Sequence, residues 1–145
     1  MSLIVMTRVQ VNAKPGAIIP GAPHFAAREM ACKHCGVLRI RSELLTALEK
    51  WRTLLGRPIS IESGYRCPTH NAAVGGARDS MHMTGCAADP HPSVSHTVVQ
   101  GLSLFSGIGW DRAGAAAGLV RHVDVRHVLG GSDSPKRPAT WTYPR

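Results

Sequence analysis

The chain has 145 residues, of which 43% are hydrophobic, so it can bury a core, and one folded domain is expected rather than a disordered chain. It has no apolar run of about 18 residues, which excludes a helical membrane span. The start, "MSLIVMTRVQVNAK", has no basic segment ahead of a long apolar run, so no signal peptide is expected. The formal charge of +8 favours polyanionic partners: nucleic acid, anionic lipid or a cell wall. A single-strand stacking platform needs aromatics among its basic residues, and aromatics make up only 5% here.

In chain order, residues 1–22 join a β-like run, Leu3 to Val11, to "KPGAIIPGAP". Its prolines and glycines predict an extended, weakly structured arm, leaving residues 23–145 as the domain. "RSELLTALEKWRTLLG" predicts a core helix. Ser42 is its N-cap, Glu43 lies in its first turn and Gly56 sits just past its end. Leu44, Leu45, Leu48, Trp51, Leu54 and Leu55 share one face. "RPISIES" alternates around Ile59 and Ile61 and predicts a half-buried strand that Gly64 and Pro68 terminate. "AAVGGA" reads as a flexible link and "GCAADP" as a short strand. "SVSHTVVQGLSLF" predicts a second helix with Val94, Val98, Leu102 and Phe105 inward. "GLVRHVDVRHVL" predicts a late strand, and "GGSDSPKRPATWTYPR" a loop-rich tail. No internal repeat is visible. Too few crossover helices are present for a doubly wound sheet, so the class is α+β.

The chemistry concentrates in "SMHMTGCAADPH", residues 80–91. His82 and Asp89 are types that zinc accepts, and a catalytic zinc uses three protein ligands. A third ligand has to come from elsewhere, and the late strand offers one. Its alternation puts Val120, His122, Asp124, Arg126 and Val128 on one side. The same pattern suits a face aimed at water, and a lone His and Asp at this spacing are often surface residues. Cys32-x-x-Cys35 with Cys67-x-x-His70 has the spacing of a structural Cys3His zinc site. A disulfide or plain thiols are the alternatives, with reduced thiols the default. Cys86 reads as buried packing. His91 and His96 are expected at the surface, and His127 on the face opposite His122.

"SGYRCPTHNAAVGGARDSMHMTGCAADPH" resembles the central signature of the zinc D-alanyl-D-alanine carboxypeptidase family, which shares its fold with the hedgehog signalling domain. The matching features are Ser63 to Arg66, Asn71, Val74 to Ala77, and Ser80, His82, Gly85, Ala87 and Asp89. "HVDVR", Trp141, "ACKHCG", "LEKWRTLLGRPI" and "SGIGW" also sit where that family has similar segments. The resemblance covers roughly residues 25 to 143. It implies a small antiparallel sheet flanked by helices, with His82, Asp89 and His122 as zinc ligands. It also implies Arg66 beside the metal as oxyanion stabiliser and Ser80 in contact with substrate.

Some members carry a glutamate three residues before the last ligand. Leu119 stands there, so Asp124 is the expected general base; fixing the tautomer of a ligand histidine is its alternative role. The implied substrate is a peptidoglycan stem peptide, cut as a carboxypeptidase or an endopeptidase. The implied setting is phage or prophage lysis by a monomer that is held in the bacterial cytoplasm before release to the wall, or carried on the virion. A non-catalytic zinc-containing wall-binding module is one rival. A nucleic-acid-binding protein, suggested only by charge and not expected as a partner, is the other.

Overall fold

Helix formation is strongest where leucine spacing is densest. In the computed structural model, which describes residues 2–14 and 16–144, Ser42–Leu55 forms a helix that buries Leu44, Leu45, Ala47, Leu48 and Trp51. Leu54 was expected on that face but is 63% exposed. Gly56, at φ 72°, ends the helix in the left-handed conformation that glycine adopts without strain.

The elements before it are β1 (Leu3–Met6), α1 (Arg8–Val11), β2 (Ile18–Ile19), β3 (Ala22–Ala26), α2 (Ala27–Met30) and β4 (Leu38–Arg41). The long helix is therefore α3. β1 pairs antiparallel with β4, setting Ile4 opposite Ile40, and β2 pairs with β3. Thr7 and Gln10 cap α1 reciprocally. Val11, Ala17, Ile19 and Ala22 are buried. The extended arm expected over residues 1–22 is thus packed onto the domain, although Met1 and Pro15 of it lie outside the described residues. Gly16 and Gly21 do take left-handed turn positions, but Pro23 lies inside β3, and local composition carries no information about the distant strand that pairs with Ile4.

The second half follows as β5 (Ile61–Ser63), α4 (Pro68–Ala73), β6 (Ala87–Pro90), α5 (His96–Gly101), β7 (Gly107–Asp111), β8 (Val120–Asp124) and β9 (Ala139–Tyr143). The strands form one sheet in the order β5-β6-β8-β7-β9. Neighbours are antiparallel except β7 and β9, which run parallel. The fold is α+β. Trp51 of α3 meets Phe105 edge-on at 5.6 Å and joins the helix to the sheet.

Three local expectations change. α5 is shorter than its pattern suggested, and it buries Val99 while Val98 stays half exposed. β8 stops at Asp124; Val125 breaks the extended backbone, and Arg126–Leu129 forms a 3₁₀ turn. The tail expected as loop contributes β9.

A chain shortened to start at residue 23 loses β1 and the buried Val11 and Ile19. Each such side chain contributes about 1.5–3 kcal/mol when fully buried, so unfolding in urea should show a loss of at least about 3 kcal/mol. An unchanged midpoint would mean that the segment packs without contributing to stability.

Candidate metal centre

Three donors converge from separate parts of the chain. His82 lies in the 3₁₀ turn Met81–Thr84, which Ser80 caps by accepting the His82 backbone N–H at 3.2 Å. Gly85 ends that turn at φ 78°, where a Cβ would stand 2.5 Å from the Arg39 carbonyl oxygen. Asp89 comes from β6 and His122 from β8, whose register pairs Ala87 with Asp124 and Ala88 with Val123. Asp89 Oδ1 lies 3.0 Å from His82 Nε2 and 3.1 Å from His122 Nδ1. One donor atom from each of the three residues lies within 4.8 Å of the others.

The other nitrogen of each imidazole is engaged. His82 Nδ1 donates to the Gly64 carbonyl at 2.7 Å. His122 Nε2 donates to Asp124 Oδ2 at 2.9 Å. A carbonyl or carboxylate oxygen only accepts, so the N–H of each neutral ring is on its outer side. Both inner lone pairs then face the Asp89 carboxylate. That arrangement is repulsive unless a positive charge sits among the three: without metal a proton on an inner nitrogen, donated to Asp89, supplies it, and a metal ion bound by two imidazoles and a carboxylate takes that proton's place. The donor set fits zinc.

Arg66 completes the Asp89 environment. Its Nη2 donates to Asp89 Oδ2 at 3.1 Å, its Nε to Ser63 Oγ at 3.2 Å and its Nη1 to Asn71 Oδ1 at 3.4 Å. Buried Asn71 is fixed in turn by donating to the Ala77 carbonyl at 2.8 Å. Burial works to raise the Asp89 carboxyl, but hydrogen bonds and charge from His122 and His82 hold it below the usual carboxylate range. Burial likewise lowers His122, and its bonds to Asp124 and Asp89 outweigh that and raise it.

Asp124 stands behind His122. It is fully buried. Its Oδ2 accepts from His122 and from Arg126 Nη2 at 2.8 Å, and its Oδ1 accepts from the Arg126 backbone N–H and Nε, both at 3.0 Å. Burial pushes its carboxyl up, and the bonds from His122 and Arg126 bring it down to about 2. The expected base is therefore a saturated carboxylate on the side of His122 away from the donor cluster.

The two glycines of "SGIGW" make this possible. β7 sets Gly107 opposite Asp124 and Gly109 opposite His122, and β9 sets Trp141 beside Gly109. A Cβ at position 107 would collide with both Asp124 carboxylate oxygens, and one at 109 would stand 2.6 Å from Trp141 Nε1. Without these side chains, the Trp141 ring reaches within 5.1 Å of His122, with the Arg126 guanidinium 4.9 Å from its centre.

A cavity of about 490 Å³ opens over the cluster. Arg66, Asp79, Ser80, Arg121, Arg126, Trp141 and Tyr143 line it together with His82, Asp89 and His122. Asp79 and Arg121 were not site candidates from the sequence, and Tyr143 stood there only in the basic tail, as an aromatic that could meet an anionic wall. Tyr143 shares a strand face with Trp141, and that alternation in "ATWTY" was the available signal. His91 is exposed and pairs with Glu62. His96 is half-buried and stacks on Trp110 at 3.9 Å. His127 bonds Ser106 Oγ at 2.8 Å, away from the cluster. Cys86 is buried, as expected.

Gly107→Ala should displace Asp124 and loosen His122 while the sheet persists. Chelator competition should show metal affinity lower by about 10-fold or more, the scale for losing a partner of a ligand histidine. Wild-type affinity in a folded Gly107→Ala protein would remove the link between this glycine and the centre.

A family model described as Peptidase M15 matches residues 23–128. No curated protein matches the chain. The matched stretch contains His82, Asp89, His122, Arg66 and Asp124, and it covers more than half of the sequence. The chain therefore belongs to the peptidase M15 family, the zinc D-alanyl-D-alanine carboxypeptidase family.

Proposed function

We propose that this chain is a peptidase whose zinc is held by His82, Asp89 and His122, and that it cuts peptidoglycan stem peptides in phage or prophage lysis. The observation that carries this reading is the pair of imidazoles with outer N–H groups engaged and inner nitrogens turned to one carboxylate. When bound, the zinc supplies Lewis-acid polarisation of a peptide carbonyl and acidifies water.

The protein's own residues do the rest. Gly64 and Asp124 hold the two rings in the ligating tautomer. The Arg66 guanidinium has more N–H groups than its three bonds use. Its fixed charge faces the cavity, where negative charge grows on the carbonyl oxygen. Asp124 serves as an orienting residue rather than the base, because all its acceptor positions point at His122 and Arg126. The base role passes to Asp79, the other carboxylate besides Asp89 that lines the cavity among the described residues. Ser80 shapes the turn that carries His82 and borders the cavity, where it can meet substrate. The charge of +8 suits an anionic cell wall.

Mass spectrometry of purified peptidoglycan fragments should show cleaved stem peptides after incubation with the protein, and none once a chelator is present. Intact fragments from a zinc-loaded protein would favour a wall-binding module.

The variants should separate the roles. His82→Ala should lower bound zinc by one equivalent and abolish cleavage. Arg66→Ala should keep the zinc and slow turnover by about 10²-fold or more. Asp79→Asn should keep the zinc and lose about 10²–10⁴ in rate. Asp124→Asn should bind zinc about 10–100-fold more weakly. Full activity in Asp79→Asn, or a slow Asp124→Asn with unweakened zinc, would reverse the assignment of base and orienting residue.

A further inference from the structure

We propose a second, structural zinc site made by Cys32, Cys35 and Cys67, with His34, whose Nδ1 lies beside Cys67 Sγ, turning in as the fourth donor. None of these residues contributes to the His82 centre. The three sulfurs lie within 4.8 Å of one another. They come from two distant parts of the chain, and all are free thiols.

The local backbone explains why they meet. Between α2 and β4 the chain turns through Cys32-Lys33-His34-Cys35-Gly36. Gly36 N–H bonds the Cys32 carbonyl at 2.9 Å, and Cys32 N–H bonds the Val37 carbonyl at 2.8 Å. Gly36 takes φ 76°, where a side chain is strained, and a Cβ there would also strike the Arg8 side chain at 2.7 Å. This tight turn brings the Cys32 and Cys35 sulfurs to one side. Cys67, at the N-cap of α4, meets them from across the fold.

The surroundings of two of the sulfurs suit thiolates, while burial and the neighbouring Cys32 and Cys67 push the Cys35 thiol up. Cys67 N–H points at Cys32 Sγ at 3.4 Å, and His70 N–H points at Cys67 Sγ at 3.4 Å. Such donors stabilise negative sulfur, as a metal-bound cysteine requires. His34 Nδ1 lies 3.5 Å from Cys67 Sγ. The imidazole beside the sulfurs is thus that of His34, while His70, expected from spacing, reaches Cys67 through its backbone. Cys32 is buried and His34 is exposed, so an ion can enter from solvent. Three soft thiolates and one imidazole match the preference of zinc for closed four-coordinate sites, and binding releases the thiol protons.

The site also bears on the peptidase centre. Gly64 accepts from His82, Arg66 holds Asp89, and Cys67 reaches Cys32, all within one short segment. Its other flank lies on α2: Tyr65 N–H bonds the Met30 carbonyl at 2.9 Å, and a Cβ on Gly64 would stand 2.5 Å from that same oxygen. A metal at the three sulfurs would anchor the end of this segment.

The test is zinc content of the full chain purified under reducing conditions without chelator. Wild type should hold two equivalents, and both His82→Ala/His122→Ala and Cys35→Ser/Cys67→Ser should hold one. The cobalt-loaded histidine variant should show sulfur-to-cobalt charge-transfer absorption in the near ultraviolet. In wild type, Cys32, Cys35 and Cys67 should resist alkylation until a strong chelator is added, a readout that does not depend on a variant folding. One equivalent in wild type that disappears with the histidine variant would overturn the proposal. Equal alkylation with and without chelator, or a disulfide among the three, would overturn it as well. One equivalent that survives in the histidine variant and vanishes in the cysteine variant would support this site and sink the peptidase centre instead.

Discussion

Two imidazole nitrogens face one carboxylate oxygen, and neither ring is free to turn away. His82 is held from behind by the Gly64 carbonyl and His122 by the Asp124 carboxylate. Each bond sets a tautomer, and each tautomer leaves a lone pair aimed at Asp89. Much of the surrounding structure follows. A carboxylate can sit fully buried behind His122 only if its charge is matched and its oxygens are satisfied. Arg126 does both, through its side chain and its own backbone N–H. The neighbouring strand must then carry no side chain at position 107. Position 109 is bare for a related reason, since Trp141 crosses over it to pack beside His122.

The same logic runs through the loop after β5. Gly64, Arg66 and Cys67 face three different partners within a few residues, so a shift of this segment would disturb His82, Asp89 and the cysteine cluster together. Met30 fixes the segment from the other side. The three clustered donors are thus held by backbone register on β6 and β8 and by this one loop.

What could be read from the sequence differs by residue. His82 and Asp89 stand in a short motif with glycine and alanine at fixed offsets, and His122 falls on an alternating strand, so local pattern offered all three as candidates, the family resemblance joined them, and the fold brings their donor atoms within 4.8 Å of one another. Arg66 and Asn71 were legible through the same signature. For Asp124 the sequence left two roles open, base or partner of a ligand histidine, because alternation says which side of a strand a residue faces and nothing about what stands behind it. Here a histidine and an arginine on its own strand and turn use up its oxygens. β9 was hidden because prolines and basic residues surround "ATWTY", and its partner lies far upstream at β7. The first 22 residues were misjudged for a similar reason: β1 is a strand only by virtue of β4. The ring beside Cys67 is that of His34 and not of His70, which shows the limit of ligand spacing, since a turn can present the residue between two cysteines to a third.

The central claim is that zinc binds through His82 Nε2, Asp89 Oδ1 and His122 Nδ1. Diffraction from zinc-loaded crystals, recorded on both sides of the zinc absorption edge, tests it most directly. An anomalous peak is expected among those three atoms, with Asp124 still bonded to His122 Nε2 on the far side. The absence of any peak there, or a zinc bound through the opposite nitrogen of His122, would contradict it.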